Sequence, residues 1–363
     1  MRRTAVLAVA VTALAAFGIG LALRSHHASA RLVQVRAALA SRYYRPLPRS
    51  VLSQPTIAAT IAALHDRYTA YLSPAQIRLA ERAVRGGYGG IGVNVLPAGS
   101  GLLVTRTVPG PAQFAGMRPG DTILKVDGVS TAGLSFDEAM GRIIGTPGSR
   151  VHLRVRRGMH TLQFSLVRRH FRLVAVQSYR MHGVGVIRVA RFTHGAGTQA
   201  AGALRRLQRE HVRGVVLDLR GDPGGLLSEA VHVASVFLRP GASVVSLAGA
   251  HRPLRILYAR RAGGSVTVPL AVLVDGATAS ASEIVAGALK DHGRATIVGS
   301  PTFGKSLVQE VVRLPSGAAL KLTVARYLTP AGVDISRRGV EPDVRSTHAL
   351  DAALRLLTPR RRS

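Results

Sequence analysis

The pattern of apolar and polar positions divides the chain into segments of different character. Residues 31–85 carry apolar positions at helical spacing, which predicts an N-terminal helical segment. Residues 86–168 alternate short apolar and polar runs with glycine-rich turns, which predicts an all-β module with one or two helices. In residues 169–358, continuous Val/Leu runs alternate with helical patterns. We therefore expect an α/β core with a largely parallel sheet covered on both faces.

An uninterrupted apolar run from Ala5 to Leu23, preceded by Arg2 and Arg3, stands before these segments. Its length suits a membrane span and also the apolar region of a secretory signal. Ala28-Ser29-Ala30 offers a cleavage site of the A-x-A type. The pattern predicts that residues 1–30 are a signal peptide or a membrane anchor. The rest of the chain is then extracytoplasmic, periplasmic or at the cell surface.

The composition is strongly basic, with 49 Lys+Arg against 18 Asp+Glu and a formal net charge of +31. The basic residues are scattered and form no helix-turn-helix or zinc-finger pattern, so we expect no nucleic-acid partner. Attraction to anionic lipids and an ordinary solvated basic surface both stay open, and residues 359–363 are a basic tail. The absence of cysteine excludes disulfides, thiolate metal sites and a cysteine nucleophile. We expect neither a metal nor another cofactor.

The stretch GSPTFGKS, Gly299 to Ser306, matches the nucleotide-binding pattern G-x-x-x-x-G-K-[ST]. A working phosphate loop needs a helix directly after the lysine. Lys305 is instead followed by an alternating, β-branched run broken at Pro315-Ser316-Gly317, which predicts a hairpin. The sequence therefore disfavours a P-loop ATPase and a nucleotide partner.

Lysine can also act as a base, although its ordinary pKa of about 10.4 must first be lowered by burial. The neighbours Phe303, Leu307 and Val308 are apolar, as such burial requires. Upstream, Ser280 stands where a strand ends and a helix begins, and the following amide of Ala281 could donate to an oxyanion. The purely structural alternative is that Ser280-x-x-Glu283 is a capping box.

Three stretches, LDLRGDPGG, VLVDGATASASEIVAGAL and TFGKSLVQ, together resemble the C-terminal processing (tail-specific) serine–lysine peptidases. The resemblance implies a crotonase/ClpP-like core. It also implies that Ser280 is the nucleophile, Lys305 its general base and Gln309 the residue that orients the lysine. The resemblance further implies oxyanion donors at Gly224, Gly225 and Ala281. It also implies supporting residues at Glu283, Asp291 and Thr302.

Residues 86–168 resemble an inserted PDZ domain, and YGGIGV resembles its carboxylate-binding loop. Successive amides of Gly90, Ile91 and Gly92 could receive a chain-terminal carboxylate, and the strand that follows could pair with a peptide. A glycine-rich hairpin without a ligand is the alternative. The implied partners are protein or peptide substrates with free C-termini. Upstream, HDRYTAYLSP also resembles the N-terminal segment of the peptidase family.

The chain departs from the family pattern at three places. Asp222 and Asp275 stand where asparagine is usual, and Ser306-Leu307 replaces a glycine–small pair. Asp222 would change the charge beside the oxyanion loop and so affects the expected turnover. The sequence predicts an exported, membrane-associated serine endopeptidase. A non-catalytic, peptide-binding scaffold and a Ser–His–Asp triad drawn from the 13 histidines are the alternatives, and an oligomer is compatible with each of them.

Overall fold

The computed structural model describes residues 30–358 except 75, 78–80, 82–86, 100, 135, 173, 263, 265–266 and 316. The described chain forms two compact units. The first comprises the residues up to Pro74 together with Ala248–Pro253 and Leu307–Arg326, and the second comprises the remainder. The predicted signal or anchor, Ala5 to Leu23, lies outside the described residues. No helix in the described part of the chain is long and apolar enough to span a bilayer.

Residues 30–42 are helical, and the labelled helices follow in chain order: α1 (Arg49–Leu52), α2 (Ile57–Ala62), α3 (Pro111–Phe114), α4 (Phe136–Ile143), α5 (Ala196–Arg209), α6 (Leu227–Phe237), α7 (Ala281–Asp291) and α8 (Ala349–Leu357). The strands are β1 (Ala70–Leu72), β2 (Gly87–Gly90), β3 (Val93–Ala98), β4 (Gly101–Thr107), β5 (Thr122–Val126), β6 (Val129–Ser130), β7 (Arg150–Arg157), β8 (His160–Val167), β9 (Arg169–Arg172), β10 (Val176–Met181), β11 (Val184–Val189), β12 (Val215–Asp218), β13 (Ser243–Gly249), β14 (Arg252–Tyr258), β15 (Leu270–Val274), β16 (Thr296–Gly299), β17 (Leu307–Arg313), β18 (Ala319–Leu328) and β19 (Val344–Arg345).

The first unit combines short helices with an antiparallel sheet in which β1 and β17 both pair with β18. The hairpin predicted after Lys305 is present, and the Leu314 N–H donates to the Ala318 carbonyl at its turn. A helical prediction for residues 31–85 is incomplete, because β1 lies within that range. Its three half-buried residues are too few to show an alternating pattern, so only the pairing with β18 reveals the strand.

The all-β module lies in the second unit as an antiparallel sheet of order β3-β4-β5-β7-β8, with β6 paired to β5. Alternation along β7 buries Val151, Leu153 and Val155 and exposes the polar residues between them, as one covered sheet face requires. β2 pairs with β9, so the two ends of the module meet. That pairing suits a domain inserted into another, although the predicted boundaries of residues 86–168 stay predictions.

The α/β core of the second unit is a sheet of order β10-β11-β12-β15-β16-β19. Five of its strands, β11, β12, β15, β16 and β19, run parallel, and β10 pairs antiparallel with β11 at the edge. One sheet face packs against α8 in a cluster that includes Val216 and Leu273. The alternate residues, Leu217 and Val272 among them, are also fully buried and face the other side. The prediction of a largely parallel sheet covered on both faces is therefore confirmed for this unit.

Leu273→Ala tests whether this core carries the stability of the second unit. Leu273 is fully buried on the central strand β15, so its truncation should lower the free energy of unfolding by about 2–5 kcal/mol. Leu356→Ala on the exposed side of α8 is the matched control and should change it by less than about 0.5 kcal/mol. Denaturant unfolding of both variants measures the difference, and equal losses would contradict the assignment of the core.

Candidate active site

Three loops of the second unit follow the carboxyl ends of neighbouring parallel strands β12, β15 and β16. Carboxyl ends of parallel strands lie along one edge of a sheet, which is where α/β proteins build their sites. The first loop contains Gly224 and Gly225, the second ends at Ser280, and the third leads to Lys305. Sheet order thus brings together residues that are far apart in sequence.

Ser280 is the residue before the first turn of α7 and has φ 58° and ψ −114°. Such a positive φ is strained for a residue with a side chain and costs about 1–3 kcal/mol. A strained serine at a strand-to-helix turn is the geometry that presents a nucleophile outward in hydrolases. The N-terminus of α7 also supplies a positive field at this position. The backbone here is therefore shaped for more than capping.

The Gly224–Gly225 loop approaches this turn too closely for any other residue. A Cβ on Gly224, whose φ is +96°, would lie 2.7 Å from the Ala279 carbonyl oxygen and 3.0 Å from the Ser280 Cβ. A Cβ on Gly225, whose φ is +153°, would lie 2.3 Å from the Phe192 carbonyl oxygen. Both glycines are required by backbone conformation and by space.

The predicted oxyanion donors have different surroundings. The Gly224 N–H already donates to Asp222 Oδ1 at 2.8 Å, so an oxyanion role for Gly224 would require this N–H to be shared. The Ala281 nitrogen is 2.8 Å from the place of a Cβ on Gly224 and begins α7, which puts it beside the glycine loop. The oxyanion roles of Gly224, Gly225 and Ala281 stay predictions.

A single buried carboxylate, that of Glu283, connects the nucleophile turn to the lysine loop. Its Oε2 accepts the backbone N–H groups of Ser280 at 2.7 Å and of Lys305 at 3.0 Å. Its Oε1 accepts the Thr302 hydroxyl at 2.5 Å and the Gly304 N–H at 2.6 Å. Burial raises the pKa of Glu283, and these four hydrogen bonds oppose the rise. The backbone nitrogens of Ser280 and Lys305 are therefore held within two hydrogen-bond lengths of each other.

Tyr327 and Thr302 add further ties around Lys305. The buried Tyr327 hydroxyl contacts the carbonyl oxygens of Lys305 at 2.5 Å and Ser280 at 3.2 Å. The Thr302 hydroxyl oxygen also accepts the Val340 N–H at 2.7 Å. Lys305 itself is half-buried, and Phe303, which was expected to shield it, is 46% exposed. The backbone of the lysine loop is thus fixed from both sides.

The phosphate-loop interpretation fails on local structure. Residues after Lys305 form the strand β17 and not a helix, so the helix N-terminus that would hold phosphates is absent at this point of the described chain. Nor does the described part of the chain contain a group of three or more His, Cys, Asp or Glu residues arranged to hold a metal.

Asp291 is the last residue of α7, about 16 Å along the helix from Ser280. Its carboxylate accepts the Ala331 N–H at 2.8 Å, which explains an acid at a helix C-terminus by a structural pairing. Of the predicted supporting residues, Glu283 and Thr302 lie at the loops of the site and Asp291 does not.

Gln309 belongs to the first unit, where its Nε2 donates to the Thr323 Oγ1 at 3.4 Å. The Thr323 hydroxyl donates to Asp66 at 2.7 Å, so its lone pairs are left to accept from Gln309. Asp66 also accepts the Thr69 hydroxyl at 2.7 Å and the Tyr68 N–H at 2.9 Å. Burial works to raise the pKa of Asp66, but these hydrogen bonds outweigh it and lower that pKa.

The network around Asp66 was missed by sequence reasoning, which singled out HDRYTAYLSP without giving Asp66 a role. The available signal was the Asp66-x-x-Thr69 spacing, which allows an aspartate to receive local N–H and O–H groups. Thr323 carried no signal, since its position opposite Gln309 depends on the register of β17 against β18.

In the PDZ-like module, β3 is an edge strand that directly follows the predicted carboxylate loop. Gly90 ends β2, the Ile91 side chain is buried, and Gly92 has φ +83°. The carbonyls of Ile91 and Gly92 accept the Ala112 and Val108 N–H groups, which fixes the loop on the module. Its role as a peptide site stays a prediction.

Comparison with known proteins identifies the family. Residues 183–346 match the model of peptidase family S41, and residues 103–157 match a PDZ domain model. A solved photosystem II D1 C-terminal processing protease is 30% identical, with 91% of this chain and 97% of that chain covered and a TM-score of 0.58. The chain belongs to peptidase family S41. The resemblance inferred from Ser280, Lys305 and the glycine loop is thereby confirmed at the level of family.

Two further relatives and a second solved structure agree with this assignment. A probable CtpA-like serine protease of Staphylococcus aureus (strain COL) is 34% identical over 316 residues, which are 86% of this chain and 64% of that protein. A second such protease, of Staphylococcus haemolyticus (strain JCSC1435), is 31% identical over 305 residues, which are 84% of this chain and 62% of that protein. This S41 chain thus spans less than two thirds of the length of these curated relatives. A putative S41 protease of Bacteroides fragilis, 16% identical with a TM-score of 0.55, shares the fold.

Glu283→Gln tests the central tie of the site. Replacing one acceptor oxygen by an NH₂ group sets a donor against N–H or O–H donors, so we expect a loss of about 1–3 kcal/mol in the free energy of unfolding. Denaturant unfolding measures it. Glu229→Gln is the matched control, since Glu229 is also buried and accepts two backbone N–H groups, those of Gly195 and Gly197, at another helix. An unchanged stability of Glu283→Gln would contradict the tie.

Proposed function

We propose that this S41 chain is a serine endopeptidase that cleaves protein substrates near their C-terminal tails. The observation that carries the proposal is the Glu283 carboxylate, which accepts the N–H groups of both Ser280 and Lys305 and so keeps the two together. The strained backbone of Ser280 and the glycine loop against it support the same conclusion. Neither a metal nor a nucleotide has a part in this mechanism.

The reaction proceeds through an acyl-enzyme. Neutral Lys305 takes the hydroxyl proton of Ser280 while the Ser280 Oγ attacks the peptide carbonyl carbon. Amides of Ala281 and of the glycine loop stabilise the oxyanion. The tetrahedral intermediate then collapses, and the leaving amine takes the proton from Lys305. Water, deprotonated by Lys305, then attacks the ester carbonyl carbon. The bond to Ser280 Oγ breaks, Lys305 returns the proton to that oxygen, and the acid leaves.

Gln309 follows Lys305 by four residues, and we infer that its amide oxygen orients the lysine amine. The hydrogen bond from its Nε2 to Thr323 supports this role, because it assigns the nitrogen to Thr323 and leaves the oxygen as the acceptor. The core is taken as crotonase/ClpP-like, in keeping with its parallel sheet and strand-end loops. The proposed domain boundaries are those predicted from sequence, residues 31–85, 86–168 and 169–358.

The PDZ module captures the tail of the substrate. The edge strand β3 can pair with an extended peptide, and amides at Gly90, Ile91 and Gly92 receive its terminal carboxylate. We also infer that the chain acts outside the cytoplasm and associates with membranes. The apolar run Ala5 to Leu23, the two arginines before it and the net charge of +31 support this location.

Ser280→Ala and Lys305→Ala test the catalytic pair. Each removes a group needed in the transition state, so each should lower kcat by about 10⁴-fold or more on a protein with an unstructured tail. Mass spectrometry of the products measures cleavage, and Lys290→Ala, a partly exposed lysine paired with Asp343, is the control that keeps activity. Cleavage by Ser280→Ala would overturn the mechanism, and tail binding without cleavage by the unaltered chain would favour a scaffold.

A C-terminally amidated substrate tests the PDZ role. Amidation removes the terminal charge and one acceptor oxygen, so KM should rise by about tenfold while kcat changes little. The free-acid peptide of the same sequence is the control, and steady-state kinetics separate the two constants. Equal KM values for both peptides would show that the tail carboxylate is not recognised.

A further inference from the structure

Asp222 joins the glycine loop to the turn that carries Ser280. Its backbone carbonyl accepts the Ala279 N–H at 3.0 Å and the Ser282 hydroxyl at 3.1 Å, on either side of Ser280. Its Oδ1 accepts the Gly224 N–H at 2.8 Å. One residue therefore fixes both sides of the space in which the oxyanion would form.

The other carboxyl oxygen of Asp222 is in an unusual position. The residue is 0% exposed, and within the described residues Oδ2 has no hydrogen-bond partner. A buried ionised carboxylate needs partners for both oxygens, and without them its charged form is strongly disfavoured. Burial raises the pKa of Asp222 to about 7. Three weaker influences lower this pKa, namely the Gly224 N–H, the charge of Arg191 and the nearby Ser282 hydroxyl, which donates to the Asp222 backbone carbonyl and not to Oδ2.

The charges around Asp222 do not supply the missing partner. Arg191 acts on it only through its field. Asp218, at the end of β12, is paired with Arg220 at 2.8 Å. Asp275, in the turn after β15, accepts the Gly221 N–H at 3.0 Å, and Glu283 on α7 accepts its own four donors. Asp222 Oδ2 therefore has no hydrogen-bond partner among the described residues.

We propose that Asp222 is a positioning residue that works as a neutral carboxylic acid, and that its ionisation switches the site off. The proposal rests on the proposed peptidase function. The neutral acid holds Gly224 through Oδ1 without placing a charge beside the glycine loop. An ionised Asp222 would repel the negative charge that develops on the carbonyl oxygen in the transition state. Activity should therefore decline as the pH rises past neutrality.

Asp222→Asn separates this effect from the titration of Lys305. Asparagine keeps an acceptor oxygen for the Gly224 N–H and stays neutral at every pH. The ratio of kcat/KM of Asp222→Asn to that of the unaltered chain cancels the contribution of Lys305. It should rise by about thirtyfold from pH 6 to pH 8.5, as one ionisation near 7 requires. A ratio that is constant with pH would overturn the proposal.

Asp275→Asn is the matched control, because it removes a half-buried carboxylate from the adjoining turn, one whose Oδ1 accepts three hydrogen bonds. Its pH profile should keep the shape of the unaltered chain, and the same thirtyfold rise in this variant would show that the effect is not specific to Asp222.

Thermal unfolding in a Ser280→Ala background tests the protonation without cleavage. Because the folded pKa lies above the unfolded value, the stabilisation is complete at low pH and is lost as the pH rises through about 7. Tm should therefore fall between pH 5 and pH 8.5 by several degrees more with Asp222 than with Asp222→Asn. An equal fall in both overturns the proposal. If the unaltered chain cleaves nothing, the proposed function fails, and the Tm comparison still decides whether Asp222 is neutral.

Discussion

The arrangement of this protein depends on one buried carboxylate that receives hydrogen bonds from two distant segments. Glu283 is fully buried at the first turn of α7 and accepts the N–H groups of Ser280 and Lys305 together with the Thr302 hydroxyl. A buried acceptor of this kind is strongly favoured when all its donors are present and costly when any is missing. The two loops that carry the proposed nucleophile and base are thus coupled by the free energy of the fold.

The same logic explains the strain at Ser280. A positive φ at a residue with a Cβ persists only where surrounding contacts determine the backbone. Here the Glu283 carboxylate holds the N–H of Ser280, and the Asp222 carbonyl holds the residues on either side. Gly224 makes room for that turn, and Gly225 for the backbone of Phe192, because neither glycine has a side chain. Strain, close approach and buried hydrogen bonds are parts of one local design.

Two buried acids therefore have opposite requirements. Both carboxylate oxygens of Glu283 accept hydrogen bonds, from four donors in total. In Asp222 only Oδ1 accepts one, and Oδ2 has no partner in the described chain. Glu283 connects two loops and needs both oxygens as acceptors, whereas the unpartnered oxygen of Asp222 can carry a proton. Such pairs of carboxyl groups in different environments are a common way for one site to assign different roles to one residue type.

The sequence alone determined the family and most element types, with the strand β1 as an exception. Alternation in β7 and β8, the unbroken apolar runs of β12 and β15, and the turn at Pro315 each follow from local periodicity and backbone preference. The spacing of Ser280, Lys305 and Gln309 and the glycines after β12 identified the peptidase pattern, which the comparisons confirm as a family. Capping by Glu283 was also visible, because its partner Ser280 is only three residues away.

Only the tertiary structure decided the hydrogen bonds between segments. That Glu283 also receives Lys305, that Asp222 is fully buried with an unpartnered oxygen, and that Asp66 supports Thr323 beside Gln309 had no local signal. Each depends on strand order or on strand register, which are set by how the whole sheet closes. Local sequence patterns fix the direction of a side chain along its own element, but the partner it meets is chosen by packing across the fold.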